Sequence, residues 1–318
     1  MSKKYMLENG RRILVLAIGA FTLIFPLFMT ETYYLSILIL WGISAITVLG
    51  LDLLVGYAGQ ISLGHAAFMG IGAYTSSILS TKYGVSPWLS LLMGIFLTSL
   101  FAFIIAIPTL KLKGYFLAIA TLGFVIITRV LLVHFHDFTG GVSGISNIPG
   151  FSIFGVPLDT EVRYYYLIWG IVALTLFITY NIAYSRFGRA LKAIHTNETT
   201  AGVRGVDVFQ CKLKVFLFSA ALAAISGGLY AHYIRFITPF NFDPMKSILL
   251  IVMVILGGMG TLWGGLLGAG IITVLPEVLR SIQEGETIVY GLIIVLVMLF
   301  LPSGLGGGIE KLLRKMTR

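Results

Sequence analysis

Residues 247–275, SILLIVMVILGGMGTLWGGLLGAGIITVL, decide how this chain is folded. The stretch carries no charge, and its 29 residues exceed the roughly 20 that one membrane crossing needs. Seven glycines fall between Gly257 and Gly270, interrupted by Thr261 and Trp263. We read it as two short helices joined at a glycine-rich break. The reason for the split lies in the rest of the chain. Other apolar runs lie near 13–29, 34–54, 58–79, 88–109, 115–133, 164–184, 215–234 and 288–302. Lys3, Lys4, Arg11 and Arg12 place the N-terminal tail inside, and Lys311, Arg314, Lys315 and Arg318 place the C-terminal tail inside too. Two inside termini require an even number of crossings. Splitting 247–275 makes ten and leaves the acidic Glu277, Glu284 and Glu286 loop outside. In that scheme 16 of the 22 Lys and Arg face the cytosol, and 8 of the 13 Asp and Glu face out. Splitting 58–79 instead would put the most basic loop outside, against the positive-inside rule.

Composition agrees with a membrane protein. Of 318 residues, 58% are hydrophobic and only 11% charged, against about 45–50% and about 25% in soluble domains. The net charge of +9 does not point to nucleic acid, because the basic residues sit in short loops and tails between apolar runs. Cys211 is the only cysteine, which excludes an intrachain disulfide. The 13–29 run lacks a small-x-small cleavage site and is expected to be an uncleaved first helix. The expected fold class is all-α, a polytopic helix bundle of about ten transmembrane segments including broken or re-entrant glycine-rich helices. A single domain covers 1–318.

One basic island interrupts this apolar background. Residues 185–214, SRFGRALKAIHTNETTAGVRGVDVFQCKLK, carry Arg186, Arg189, Lys192, Arg204, Lys212 and Lys214. Asn197 or Thr196 can N-cap a short helix with Glu198 in its first turn, and Gly205 suits the position just past its end. Asp207 and Gln210 form a capping-box-like pair for the next helix. The result is a short surface helix held at both ends by membrane helices, suited to transmitting a push; the plainer reading is a basic loop obeying the charge rule.

Residues 56–74, GYAGQISLGHAAFMGIGAY, form a second glycine-dense segment. Small residues let membrane helices approach closely, so Ala66 with Gly70, and Gly260 with Gly264 and Gly268, mark packing faces at four-residue spacing. Gln60, Ser62 and His65 either serve that packing or line a path or subunit interface, since polar groups at membrane depth face protein or water. Asp52 and Arg129 read either as interface-snorkelling or helix-capping groups or as an ion relay. His134, His136 and Asp137 offer a weak metal-ligand spacing, short of a defined set of ligands. The 134–163 segment carries turn signals for an external loop or a re-entrant piece. No G-x-x-x-x-G-K-[ST] phosphate loop and no credible catalytic constellation occurs in the chain.

At these residues the chain resembles the permease subunits of the high-affinity branched-chain amino-acid ABC importers, LivM type, over nearly its whole length. Residues 56–74 are similar to that family's signature around its third helix. Phe187 to Ile194 with Glu198, Ala201 and Gly205 resembles its coupling region, and 257–261 its late glycine cluster. Against the importer EAA motif, Thr200 stands in the first alanine position, Glu198 departs in spacing, and Ala201 and Gly205 fit. The resemblance implies a transport subunit with no enzymatic site and no cofactor of its own, with ATP and Mg bound by partner subunits. It further implies a multi-pass protein of a bacterial or archaeal cell (inner) membrane, pairing with a sister permease as a heterodimer. Two ATP-binding subunits would dock at Arg189, Glu198, Ala201 and Gly205, and an external solute-binding protein would deliver leucine, isoleucine or valine. Relatives of this type carry urea, amides or other small organic solutes. A stand-alone ion-coupled secondary transporter using Asp52, His65 or Arg129 is the rival class.

Overall fold

The computed structural model describes residues 31–112, 114–153 and 155–279, together with Gly291, Leu292, Val295, Gly304 and Gly306. The expected first span at 13–29, almost all of the last at 288–302 and both basic tails lie outside the described residues.

The bundle is built around α1 (Thr32–Asp52), which runs on through a π-turn, Leu53–Tyr57. It is apolar on every side and buried over most of its length, as a helix surrounded by other helices must be. The chain then leaves helical geometry until α2 (His65–Lys82) begins. Here the structure departs from the expected span at 58–79. Gly59 is left-handed, and the Leu63 N–H is taken by Thr121 Oγ1 at 2.9 Å rather than by a helical carbonyl. Such irregular backbone is tolerated at membrane depth only where protein surrounds it. Next come α3 (Pro87–Thr109), with Pro87 in the first turn where its missing N–H costs nothing, and α4 (Tyr115–His134).

The 134–163 segment folds into a short helix, α5 (His136–Thr139), and the strands β1 (Ile145–Ser146), β2 (Ser152–Ile153) and β3 (Val156–Pro157). β2 and β3 form a hairpin. The chain continues through α6 (Glu161–Tyr184), α7 (Arg186–Thr196), α8 (Glu198–Val203) and α9 (Val208–Ile234). β4 (Phe236–Ile237) then pairs antiparallel with β1, placing Ile145 opposite Ile237. With Arg235 paired to Asp159, and Lys82 donating to the Asp137 carbonyl, this ties off the end of the bundle remote from α7 and α8. Among the described residues, no group of three or more His, Cys, Asp or Glu is placed to hold a metal. Arg129 stacks over the Phe240 ring at 4.8 Å.

The 247–275 stretch breaks where expected. α10 (Pro244–Gly257) and α11 (Leu262–Leu279) flank a turn at Gly258 and Gly260, both with positive φ. At 14 residues, α10 is about 21 Å long, short of the roughly 30 Å hydrocarbon core. The two pack antiparallel with almost no side chain between them. A Cβ on Gly264 would overlap the Gly257 carbonyl, and one on Gly268 would overlap the carbonyl of Met253. A second seam joins α2 and α9, where a Cβ on Gly227 would strike the backbone of Met69 and one on Gly72 that of Ala224. In lipid, hydrophobicity does not drive helices together, so contact has to come from close packing of this kind. Five described helices, counting α1 with its π-turn, are long and apolar enough to cross a membrane, giving a multi-pass helix bundle.

The seams make a direct prediction. Gly268→Val forces α11 off α10, and the thermal midpoint of the detergent-solubilised protein should fall by the several degrees that about 3 kcal/mol of overpacking produces. Gly123→Ala in α4, where a Cβ meets nothing within 4 Å, should hold or slightly raise the midpoint in the same measurement.

Candidate functional site

Glu161–Tyr184 ends at Ser185, whose hydroxyl accepts the Gly188 N–H at 3.3 Å and starts α7 in a new direction. The turn is tight, since a Cβ at Gly188 would overlap the Ala183 carbonyl. Leu191 and Ile194 are buried, which lays α7 along the body with Arg186 and Arg189 outward. Asn197 then breaks the helix with extended backbone, and its side chain accepts the Thr200 N–H at 2.9 Å to cap α8. Thr196, the alternative cap, turns back to the Lys192 carbonyl. α8 ends at Gly205, whose φ of +84° is the left-handed conformation expected there, with Val206 N–H returning to the Ala201 carbonyl. Asp207 accepts the Gln210 N–H at 3.0 Å and opens α9.

The inner face of this island is tied to the glycine-dense segment after α1. Ala201 is buried. Glu198 pairs with Lys212, whose side chain is only 3% exposed at the start of α9, and accepts a 3.5 Å hydrogen bond from Gln60 Nε2. His195 Nδ1 lies 2.9 Å from the Gly56 carbonyl, which makes that nitrogen the protonated one. Lys192 Nζ sits 4.7 Å above the Tyr57 ring. Three side chains of α7 and α8, His195, Lys192 and Glu198, thus hold Gly56 to Gln60, and Lys212 of α9 anchors Glu198.

The opposite side of the same segment meets the tip of the α10–α11 hairpin. Asp52, completely buried, accepts the Gly260 N–H on Oδ1 at 2.7 Å. A Cβ on Gly56 would collide with Gly260 and would also crowd Asp52 Oδ1, so only glycine fits there. α7 (through His195), the α1–α2 connection and the hairpin tip therefore meet at Gly56. α8 follows α7 directly and is tied to the same connection by Glu198 and Gln60, so the contacts link all of these elements with little slack.

Of the residues singled out in the sequence, Glu198, Gln60 and Gly260 come together here. Arg189 lies on the exposed face, its guanidinium 3.3 Å from the Tyr184 carbonyl, and Gly205 is exposed at the end of α8. Ser62 and His65 lie deeper: Ser62 Oγ accepts the Gly64 N–H, and His65 Nε2 pairs with Ser219 Oγ at 2.7 Å against α9. Gly264 and Gly268 belong to the hairpin seam, and Gly70 packs on the Phe242 ring. Sequence reasoning passed over Gly56 as a contact point and Lys212 as a buried cation. The signal for Lys212 was available: it lies four residues before Phe216 and seven before Ser219, on the buried face of α9.

The chain matches the family model described as branched-chain amino acid transport system / permease component over residues 33–301. It is 31% identical to the high-affinity branched-chain amino acid transport system permease protein LivM of Salmonella typhimurium, an alignment covering 93% of this chain and 75% of that protein. It is 26% identical to the probable LivM permease protein of Methanocaldococcus jannaschii, covering 85% and 92%. The Escherichia coli permease protein LivH is 31% identical over 43% of each chain. No solved structure matches the chain.

Removing one partner of the Glu198–Lys212 pair strands a buried charge, which costs about 3 kcal/mol. Glu198→Ala should therefore lower the thermal midpoint clearly, and the double change Glu198→Ala with Lys212→Met should restore most of it. Additive losses in that double-mutant cycle would show that the pair does not anchor α8.

Proposed function

The chain belongs to the family of branched-chain amino acid transport permeases, and we propose that it is the membrane-spanning permease subunit of an ATP-driven importer for leucine, isoleucine and valine. The observation that carries the reading is α8: a short helix capped at both ends, pinned inward by Glu198 and Ala201, with its other face open. Val203 on that face is 85% exposed. Thr199, Gly202 and Arg204 beside it are exposed as well, so this face of α8 is open to a partner. The chain lacks a phosphate-binding loop, so ATP and Mg would be bound by two partner subunits seated against α8, Arg189 and Gly205.

In this reading the chain makes ten crossings as a single domain over 1–318, with both termini and the 185–214 segment cytosolic, in a bacterial or archaeal inner membrane. A related permease of the LivH type would form the other half of the pathway, and an external binding protein would deliver the amino acid. Closure of the ATPase subunits pushes α8. The push passes through Glu198 to Lys212 on α9, through His195 and Gln60 to the α1–α2 connection, and through Gly56 to Gly260 on the hairpin. Elements that move as rigid bodies about close-packed seams give alternating access.

Uptake of labelled leucine in cells with and without this gene tests the assignment. Gene-dependent uptake should stop on ATP depletion and survive collapse of the proton gradient; uptake that follows the gradient would overturn the ATP-driven reading. Docking is tested by Val203→Asp, which should cut uptake at least tenfold while the protein's membrane abundance and thermal midpoint stay at wild-type values. Undiminished uptake by this variant would remove the docking role of α8.

A further inference from the structure

Away from the Gly56–Gly260 contact, α1, α2, α10 and α11 surround a cavity of about 430 Å³, within the roughly 300–1,000 Å³ typical of small-molecule sites. Its lining is mixed: Ile43, Met69, Met253 and Ile272 are apolar, while Ser44, Tyr230, Asn241 and Lys246 bring polar groups. Lys246 is the only charged residue among the described residues that line it.

Lys246 is placed as an anion-binding group. It stands in the first turn of α10, where Asp243 caps the helix by accepting the Lys246 backbone N–H at 2.9 Å. Its ammonium has no hydrogen bond or ion pair with any described residue, in contrast to Lys212 in the same bundle. Asp243 at the helix cap attracts the ammonium without forming an ion pair with it, so the cation is only partly compensated where it lines the cavity. The positive end of a broken membrane helix adds to the field there, and both favour a second carboxylate arriving from outside the protein. Phe242, which also lines the cavity, is set by Gly70: its ring lies 3.2 Å from where a Cβ at that position would stand.

We infer that this cavity is an intramembrane transit site for an aliphatic α-amino acid, with Lys246 receiving the substrate carboxylate. The inference rests on the import reading above and adds to it a binding residue and a place. The Ser44 and Tyr230 hydroxyls are uncharged acceptors for the substrate ammonium, and the apolar lining residues take its side chain. Lys246 lies 11 residues before Gly257 along α10, about 16 Å at 1.5 Å per residue. The helix that carries the carboxylate-binding ammonium is therefore the one whose far end adjoins the tip held by Asp52. A push on α8 that moves the hairpin also moves Lys246, which couples release of the substrate to the stroke.

The test uses the complete importer reconstituted in vesicles with its ATPase subunits, sister permease and binding protein. Labelled leucine uptake and copurification of the subunits are measured together. Lys246→Met should reduce uptake at least tenfold with normal copurification, as loss of a charged hydrogen bond does, and Lys246→Arg should recover a substantial part. Wild-type uptake by Lys246→Met would overturn the site. Should Lys246→Met fail to assemble, Ile43→Trp, which fills the cavity while leaving Lys246 in place, decides: blocked uptake in an assembled complex supports the site, and undiminished uptake overturns it. If the wild-type complex itself carries no leucine, it is the import reading that fails, an outcome separate from either variant result.

Discussion

The contact between Gly56 and Gly260 is the constraint on which the rest of this structure depends. Two stretches of backbone distant in sequence meet where a single methyl group would not fit, and the buried Asp52 carboxylate binds the amide on the far side. Neither partner is regular helix. Gly56 lies in a π-turn, and Gly260 in the turn of the hairpin with a φ of +76°. Both irregularities leave backbone groups that helical hydrogen bonding does not satisfy. Asp52 and His195 satisfy two of them, the Gly260 N–H and the Gly56 carbonyl. A contact of this kind resists both separation and sliding, and it makes three elements respond as one.

The charges obey a consistent logic around that contact. Most of the bundle is neutral, and those charges that are buried sit where elements must stay in register. Lys212 is buried and paired; Asp52 is buried and bound to an amide N–H. Buried ion pairs add little net stability compared with apolar packing, yet they penalise every arrangement in which the partners separate. That penalty keeps α8 attached to α9 and to the α1–α2 connection. Glu198 thus faces inward and fastens α8 to the bundle, while Val203 is exposed on its outer face.

Much of this was legible in the sequence, and the pattern of what was not is instructive. The apolar runs marked the helices because burial in a membrane imposes a minimum length. The break in 247–275 was readable because a 29-residue run with seven clustered glycines is too long for one crossing and poorly suited to continuous helix. The caps at Asn197, Gly205 and Asp207 were readable because their geometry is local. The glycine-dense 56–74 segment was harder. Its apolar run reads as helix from residue 58, whereas helix begins at His65, since the side chain that takes the Leu63 N–H belongs to α4. Gly264 and Gly268 likewise read as a packing face, but that their partner is α10 of the same chain depends on the fold.

Residues whose role comes from a distant neighbour were the ones hidden. Gly56 looked like one glycine among many in its segment, and nothing local distinguishes it. Its significance comes from Gly260, 204 positions later, and from His195 on a third element. The same holds for Lys246, which on sequence is simply a cation before an apolar run. What distinguishes it is that the helix behind it is broken 11 residues later, so one rigid rod of about 16 Å carries a charge at one end and the Gly56 contact at the other. A full-length transmembrane helix in that place would be anchored across the whole bilayer and could not tilt without disturbing both interfaces. A shorter helix, packed by glycine against the returning helix α11, can move with its partner as a unit. The shortness of α10, the glycine seam with α11 and the position of Lys246 are therefore aspects of one arrangement, in which the turn held against Gly56 and the cavity lined by Lys246 lie on the same hairpin.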